Sequence, residues 1–299
     1  MPHSSLFHGL SAFPLTPADE TGRVDTLLLA QLLERLCVAG VDSIGLLGST
    51  GIYAYLSREE RLRAVEAAVE CVGGRTPLIV GIGALRTDTV CDLATDAENA
   101  GADALLLAPV SYTPLTEDEV YEHYRTVAAA TRLPVCIYNN PGTTHFTFSL
   151  DLLERLSNIP TLQAVKMPLP ADGDFAAELA RLRQRTDLFV GFSGDWGMAA
   201  STLAGADGFY SGLAGILPRL TLAVVRAAQA GDADEVRRLD DSLKPLWETL
   251  RAHGGLRVSY ALLDILGLGK AQPPRPILPL GPDAQQRVAS AMEPLLVWV

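Results

Sequence analysis

The chain has 299 residues, of which 48% are apolar and 20% charged, and a formal net charge of −11. That length permits a large core in one or two domains, and the composition is that of an ordinary globular protein. The acidic balance argues against a nucleic-acid partner, and no run of about 18 uninterrupted apolar residues marks a membrane span.

Residues 1–5 lack the charged and apolar regions of a signal peptide. Cys37, Cys71, Cys91 and Cys136 form no C-x-x-C pair. They predict buried free thiols in a reducing cytoplasm, not disulfides or zinc ligands.

From residue 7 to residue 211 a short apolar run alternates with an amphipathic segment. The strand-like runs are 9–15, 42–47, 77–83, 104–109, 134–139, 162–167, 188–193 and 208–213. Several are continuous rather than alternating, as expected of parallel strands covered on both faces. Helices are predicted between them. Segment 24–39 carries Leu27, Leu28, Leu32, Leu33 and Leu36 at helical spacing, and 58–71 follows a capping Ser57. Segment 88–100 ends at Gly101, and 116–131 opens with the capping-box pattern Thr116-Glu117-Asp118-Glu119. Segments 150–156, 175–185, 196–203 and 218–230 complete the series. Gly40, Gly101 and Gly205 stand where a left-handed residue ends a helix.

Eight strand–helix units predict a (β/α)8 TIM barrel, an α/β fold. An open doubly wound sheet is the alternative, but Gly81-Ile82-Gly83-Ala84 lacks its third glycine. Residues 1–217 hold the barrel strands and most helices. Residues 218–299 hold the last barrel helix and a C-terminal helical extension, predicted over 232–253, 256–266 and 282–297, continuous with the barrel.

Functional residues of such a barrel sit at the C-terminal ends of the strands. Strand 2 ends in Gly48-Ser49-Thr50-Gly51, either a plain turn or a cradle for a carboxylate. Strand 4 runs into Ser111-Tyr112, and strand 5 ends in Tyr138-Asn139-Asn140-Pro141, with Thr143 just beyond. The Tyr138 phenol is either a hydrogen-bonded core group or a proton relay. Strand 6 ends in Lys166, one of only three lysines beside 21 arginines. A lysine at an apolar strand end is the residue type that can act as a neutral amine and form a Schiff base. Strand 7 ends in Asp195, read first as a helix cap and second as a ligand for substrate hydroxyls. Strand 8 ends in Tyr210, where it can line a pocket. Ser49, Thr50, Tyr138 and Lys166 thus face one barrel mouth.

The sequence resembles the dihydrodipicolinate synthase / N-acetylneuraminate lyase family over nearly its whole length. The likeness rests on Pro14-Leu15-Thr16-Pro17, Gly48-Ser49-Thr50-Gly51, residues 109–114, Tyr138-Asn139-x-Pro141, the strand with Lys166, and Ser193-Gly194-Asp195. It implies a Schiff base between Lys166 and pyruvate or a related 2-oxo acid, and proton transfer by Tyr138. It also implies a carboxylate held by Ser49, Thr50 and Gly51, and substrate contact at Tyr210. It implies no metal or organic cofactor, an aldehyde as the second substrate, and a homo-oligomer, tetramer or dimer.

Four departures bear on the acceptor. Ile52 stands where the family has Glu, Thr143 where the synthases place an acceptor-binding Arg, and Ser111 where they place a second relay tyrosine. Met167-Pro168 follows the lysine. Tyr112 or Ser111 is the replacement relay, and Ser111, Tyr112, Thr143 and Asp195 are the acceptor-side candidates. The reading is a class I lyase or aldolase that is not a true dihydrodipicolinate synthase. A sugar-acid dehydratase on the same lysine is the alternative, and a catalytically weakened 2-oxo-acid-binding homologue is the alternative outside catalysis.

Overall fold

The computed structural model describes residues 6–299. The signal-peptide expectation concerns residues 1–5, outside the described residues. Eight parallel strands close in sequence order: β1 (Gly9–Ala12), β2 (Ser43–Leu46), β3 (Leu78–Gly81), β4 (Ala104–Leu107), β5 (Val135–Tyr138), β6 (Leu162–Met167), β7 (Phe189–Ser193) and β8 (Gly208–Ser211). Pairing of β1 with β8 completes the ring, so the open-sheet alternative falls and the TIM barrel stands.

Around it run α1 (Thr26–Ala39), α2 (Arg58–Val72), α3 (Thr87–Ala100), α4 (Glu117–Ala129), α5 (Pro141–Thr144), α6 (Leu150–Ser157), α7 (Phe175–Arg183), α8 (Met198–Leu203) and α9 (Pro218–Gln229). Then follow α10 (Ala233–His253), α11 (Gly255–Ile265) and α12 (Pro282–Met292). Among the described residues no helix is long and apolar enough to cross a membrane.

Local chemistry fixes the helix ends. Asp25 and Ser57 accept from the backbone N–H three residues on, and Thr116 with Glu119 forms the expected capping box. Gly40 and Gly101 end α1 and α3 in left-handed conformation. The apolar stripe of α1 is Leu28, Leu29, Leu32, Leu33 and Leu36. Leu27, expected in that stripe, is 78% exposed, because it lies one position round the helix from Leu28 on the solvent side. Each fully buried leucine contributes about 1.5–3 kcal/mol. Of the four free cysteines only Cys136 is buried and the other three are half-buried, which corrects the expectation that all are buried.

Two apolar layers result. One lies between the strands and the helices and includes Leu105, Leu107, Val135, Ile137 and Val165. The other fills the barrel with Phe13, Leu106, Cys136, Tyr138, Ala164 and Tyr210. Alternation along β4 and β5 divides them cleanly. In β6 it does not. Leu162 faces the helices, yet Ala164, two residues on, faces the barrel interior. The β5–β6 register explains this: Val135 pairs with Leu162, but Cys136 pairs with Ala164, so Gln163 is an extra residue. This bulge reverses the parity of the rest of the strand. It turns Lys166 inward, directly opposite Tyr138.

Candidate active site

Lys166 is 4% exposed. Its Nζ lies 4.1 Å from the ring centroids of both Phe13 and Tyr138 and 5.6 Å from that of Tyr210. Lys244, by contrast, pairs with Asp241 on the surface at 2.6 Å. Among the described residues no carboxylate or carbonyl ties down the Lys166 nitrogen; its contacts are ring faces. Bare glycines make room for those rings. A Cβ at Gly45 would stand 2.1 Å from the Phe13 ring, and one at Gly191 would stand 2.4 Å from that of Tyr210.

The Tyr138 phenol accepts a hydrogen bond from Asn140 Nδ2 at 3.0 Å and lies 3.5 Å from Ser49 Oγ. Its oxygen is therefore held by Asn140 and linked to the strand-2 turn, while the Lys166 amine lies over the ring face. In that turn Ser49 and Thr50 line the cavity. Gly51 sits behind them, its Cα face against the backbone of Leu47 and Gly48. Leu47 and Ile52, at φ of 55° and 53°, hold the turn in left-handed conformation at both ends.

Asp195 does not cap the next helix, which corrects the first reading of it. Its carboxylate turns to the end of β8, where Ser211 Oγ donates at 2.5 Å and the Leu213 N–H at 3.4 Å. Those donors lie beyond α8, the helix that follows Asp195. Burial pushes its carboxyl above the usual range, opposed by the Ser211 hydrogen bond, by the Leu213 N–H and by the positive charge of Lys166. Thr50 and Asp195 converge on Gly212, where a Cβ would meet Thr50 Oγ1 at 3.1 Å and Asp195 Oδ2 at 3.6 Å. Burial drives the Tyr210 phenol far above its ordinary value and pushes the Cys136 thiol up to about 12. Both stay protonated, so the barrel interior holds no competing thiolate.

One cavity of about 550 Å³ lies at this site. It collects Ser49, Thr50, Tyr138, Lys166, Asp195 and Tyr210 from the sequence-derived set, but not Gly51, Ser111, Tyr112 or Thr143. Ser111 turns its hydroxyl onto the Thr113 carbonyl within its own loop. Tyr112 is 95% exposed. Thr143 is exposed on α5, 3.4 Å from the Asn140 carbonyl. Phe13 and Asn140 were not singled out from the sequence, although each adjoins a residue or motif that was. Leu169, Trp196, Leu250 and Leu256 also line the cavity, and no motif marks them. Among the described residues no cluster of three or more His, Cys, Asp or Glu is placed to hold a metal ion.

The chain as a whole has counterparts of known family. The model of the dihydrodipicolinate synthetase family matches residues 6–295. The chain belongs to the dihydrodipicolinate synthetase family. It is accordingly a lyase of the class I aldolase type. Within the family, the 4-hydroxy-tetrahydrodipicolinate synthase of Neisseria meningitidis serogroup B is 32% identical over 280 residues, 93% of this chain and 95% of the relative. The crystal structure of a dihydrodipicolinate synthase from Agrobacterium tumefaciens superposes with a TM-score of 0.97 at 58% identity, over 98% of this chain and 99% of that one. A chloride-inhibited dihydrodipicolinate synthase from Acinetobacter baumannii, complexed with pyruvate, matches at 28% identity and a TM-score of 0.89, over 98% of this chain and 100% of that one.

Proposed function

We propose that this lyase acts on pyruvate or a related 2-oxo acid through a Schiff base on Lys166, and makes or breaks a carbon–carbon bond to an aldehyde. The observation that carries the reading is the Lys166 amine, buried with no salt bridge among the described residues and opposite Tyr138. The Acinetobacter relative crystallised with pyruvate supports the choice of 2-oxo acid.

In the cleavage direction Lys166 Nζ attacks the C2 carbonyl of the 2-oxo acid. Tyr138 supplies the proton that carries the carbinolamine oxygen away as water. The resulting iminium is an electron sink. The C4 hydroxyl proton passes to Tyr138, the C3–C4 pair moves into the iminium to form an enamine, and the aldehyde leaves. Protonation at C3 and hydrolysis return pyruvate and the free amine. Condensation is the reverse. Ser49 and Thr50 hold the carboxylate by their hydroxyls, with the turn N–H groups beside them. Tyr210 and Phe13 form the wall against which the amine sits.

The acceptor in this proposal is not aspartate semialdehyde. Thr143 offers no cation and stands outside the cavity, and among the described residues lining that cavity Lys166 is the sole base. The proposal includes a cytoplasmic homo-oligomer, dimer or tetramer, as the family resemblance implies.

Incubation with pyruvate and sodium borohydride, followed by intact mass measurement, tests the reading. One reduced pyruvate adduct is expected on the wild type and none on Lys166→Arg. A wild type that gains no mass would overturn it.

A further inference from the structure

The cavity has two unlike halves. Beside Lys166 lie hydroxyls, a phenol and the Asp195 carboxyl. Beyond them the wall is made by Pro168 and Leu169 after β6, Trp196 after β7, Leu250 near the end of α10, and Leu256 in the first turn of α11. Apart from the indole N–H, their side chains carry no hydrogen-bonding group and no charge.

This wall is fixed. A Cβ at Gly194 would meet Leu169 at 3.0 Å and one at Gly197 at 2.4 Å, so the leucine is seated in a slot that two glycines open for it. Leu250 is 3% exposed. The guanidinium of Arg251 lies 5.4 Å from the centroid of the Trp196 ring without itself lining the cavity.

Three polar side chains of the lining have donors already engaged, among them Asn139, whose Nδ2 donates to Met167 Sδ at 3.6 Å while its buried Oδ1 stays without a partner among the described residues. Asn140 Nδ2 is given to the Tyr138 phenol, and Ser193 Oγ to the Met167 carbonyl at 3.4 Å. A polyol tail entering this half would lose water from its hydroxyls and find few partners to replace it. Among the described residues lining the cavity, Lys166 is the sole cation that a carboxylate or phosphate tail would meet.

We propose that the aldehyde condensed or released here carries an apolar tail, aromatic or branched aliphatic, seated on Leu169, Trp196, Leu250 and Leu256. The inference rests on the Schiff-base reading and adds the class of the second substrate. Because Leu250 and Leu256 come from the helices that follow the barrel, that segment shares in setting the substrate class with the loops after β6 and β7.

The test is a condensation panel with pyruvate, comparing benzaldehyde and isobutyraldehyde with glyceraldehyde and aspartate semialdehyde by kcat/KM. A single methylene in an apolar pocket is worth roughly 10- to 200-fold, so the two apolar aldehydes should lead by about tenfold or more. Leu256→Asn and Trp196→Gln, both at partly exposed positions, should each raise KM for benzaldehyde. Both should still form the borohydride adduct with pyruvate. A panel led by glyceraldehyde or aspartate semialdehyde would overturn this inference alone, as would variants that leave the preference unchanged. Failure of the wild type to form the adduct would overturn both readings.

Discussion

The inner and outer halves of the cavity are built by different means. The inner half is made of strand ends, where hydrogen-bond register sets direction: Tyr138 and Lys166 are direct partners across β5 and β6. The outer half is assembled from two loops and two helices, with Leu169 and Leu256 far apart in sequence. A strand end cannot change direction without breaking the ladder, whereas a wall of packed side chains can change its character one residue at a time. In the proposed reaction the chemistry is therefore anchored in the barrel, and the second substrate is chosen by the residues that line the outer half.

Substitutions that separate the two halves should differ in size and in kind. The largest loss is expected for Lys166→Arg, which keeps the charge but cannot form the iminium; no turnover and no borohydride adduct should remain. Tyr138→Phe should retain pyruvate binding and lose about 10²- to 10⁴-fold in kcat, measured by steady-state kinetics. An undiminished kcat would remove the phenol from proton transfer.

Gly45→Ala tests whether the ring platform holds the amine. Its Cβ would overlap the Phe13 ring. It should destabilise the fold by about 1–3 kcal/mol in urea and slow trapping of pyruvate. Normal trapping in the folded variant would show that the amine does not need that ring.

The smallest effect is expected from titration of Asp195. Burial raises its folded-state pKa above the unfolded value, so the folded protein holds this proton more tightly. Its contribution to stability is complete below the unfolded pKa and is lost as pH rises through the folded one. The melting difference between wild type and Asp195→Asn should therefore shift toward the wild type on acidification from neutral pH. A constant difference would contradict that environment.

Much of the inner half was legible in the sequence because strand ends carry a rule of position. Apolar runs located the strands, and barrel closure brought Ser49, Tyr138 and Lys166 together. What fixes the direction of Lys166 was not legible: strict alternation from Leu162 would turn it toward the helices, and the extra residue Gln163 reverses that. Asp195 was misread because its donors, Ser211 and Leu213, follow a whole strand–helix unit later and outcompete a local cap. α5 and the single turn Tyr53–Tyr55 are too short to show periodicity. The outer wall was silent for a similar reason, since a leucine on a helix reads as core until its neighbours across the cavity are known.

The central claim is that one amine, set inward by a bulge in β6, carries the chemistry. Peptide mapping of the protein reduced with borohydride in the presence of pyruvate tests it most directly, since the chain offers only Lys166, Lys244 and Lys270. The adduct is expected on the peptide containing Lys166, with Lys244 and Lys270 unmodified. A label on either of those, or spread over all three, would contradict the account.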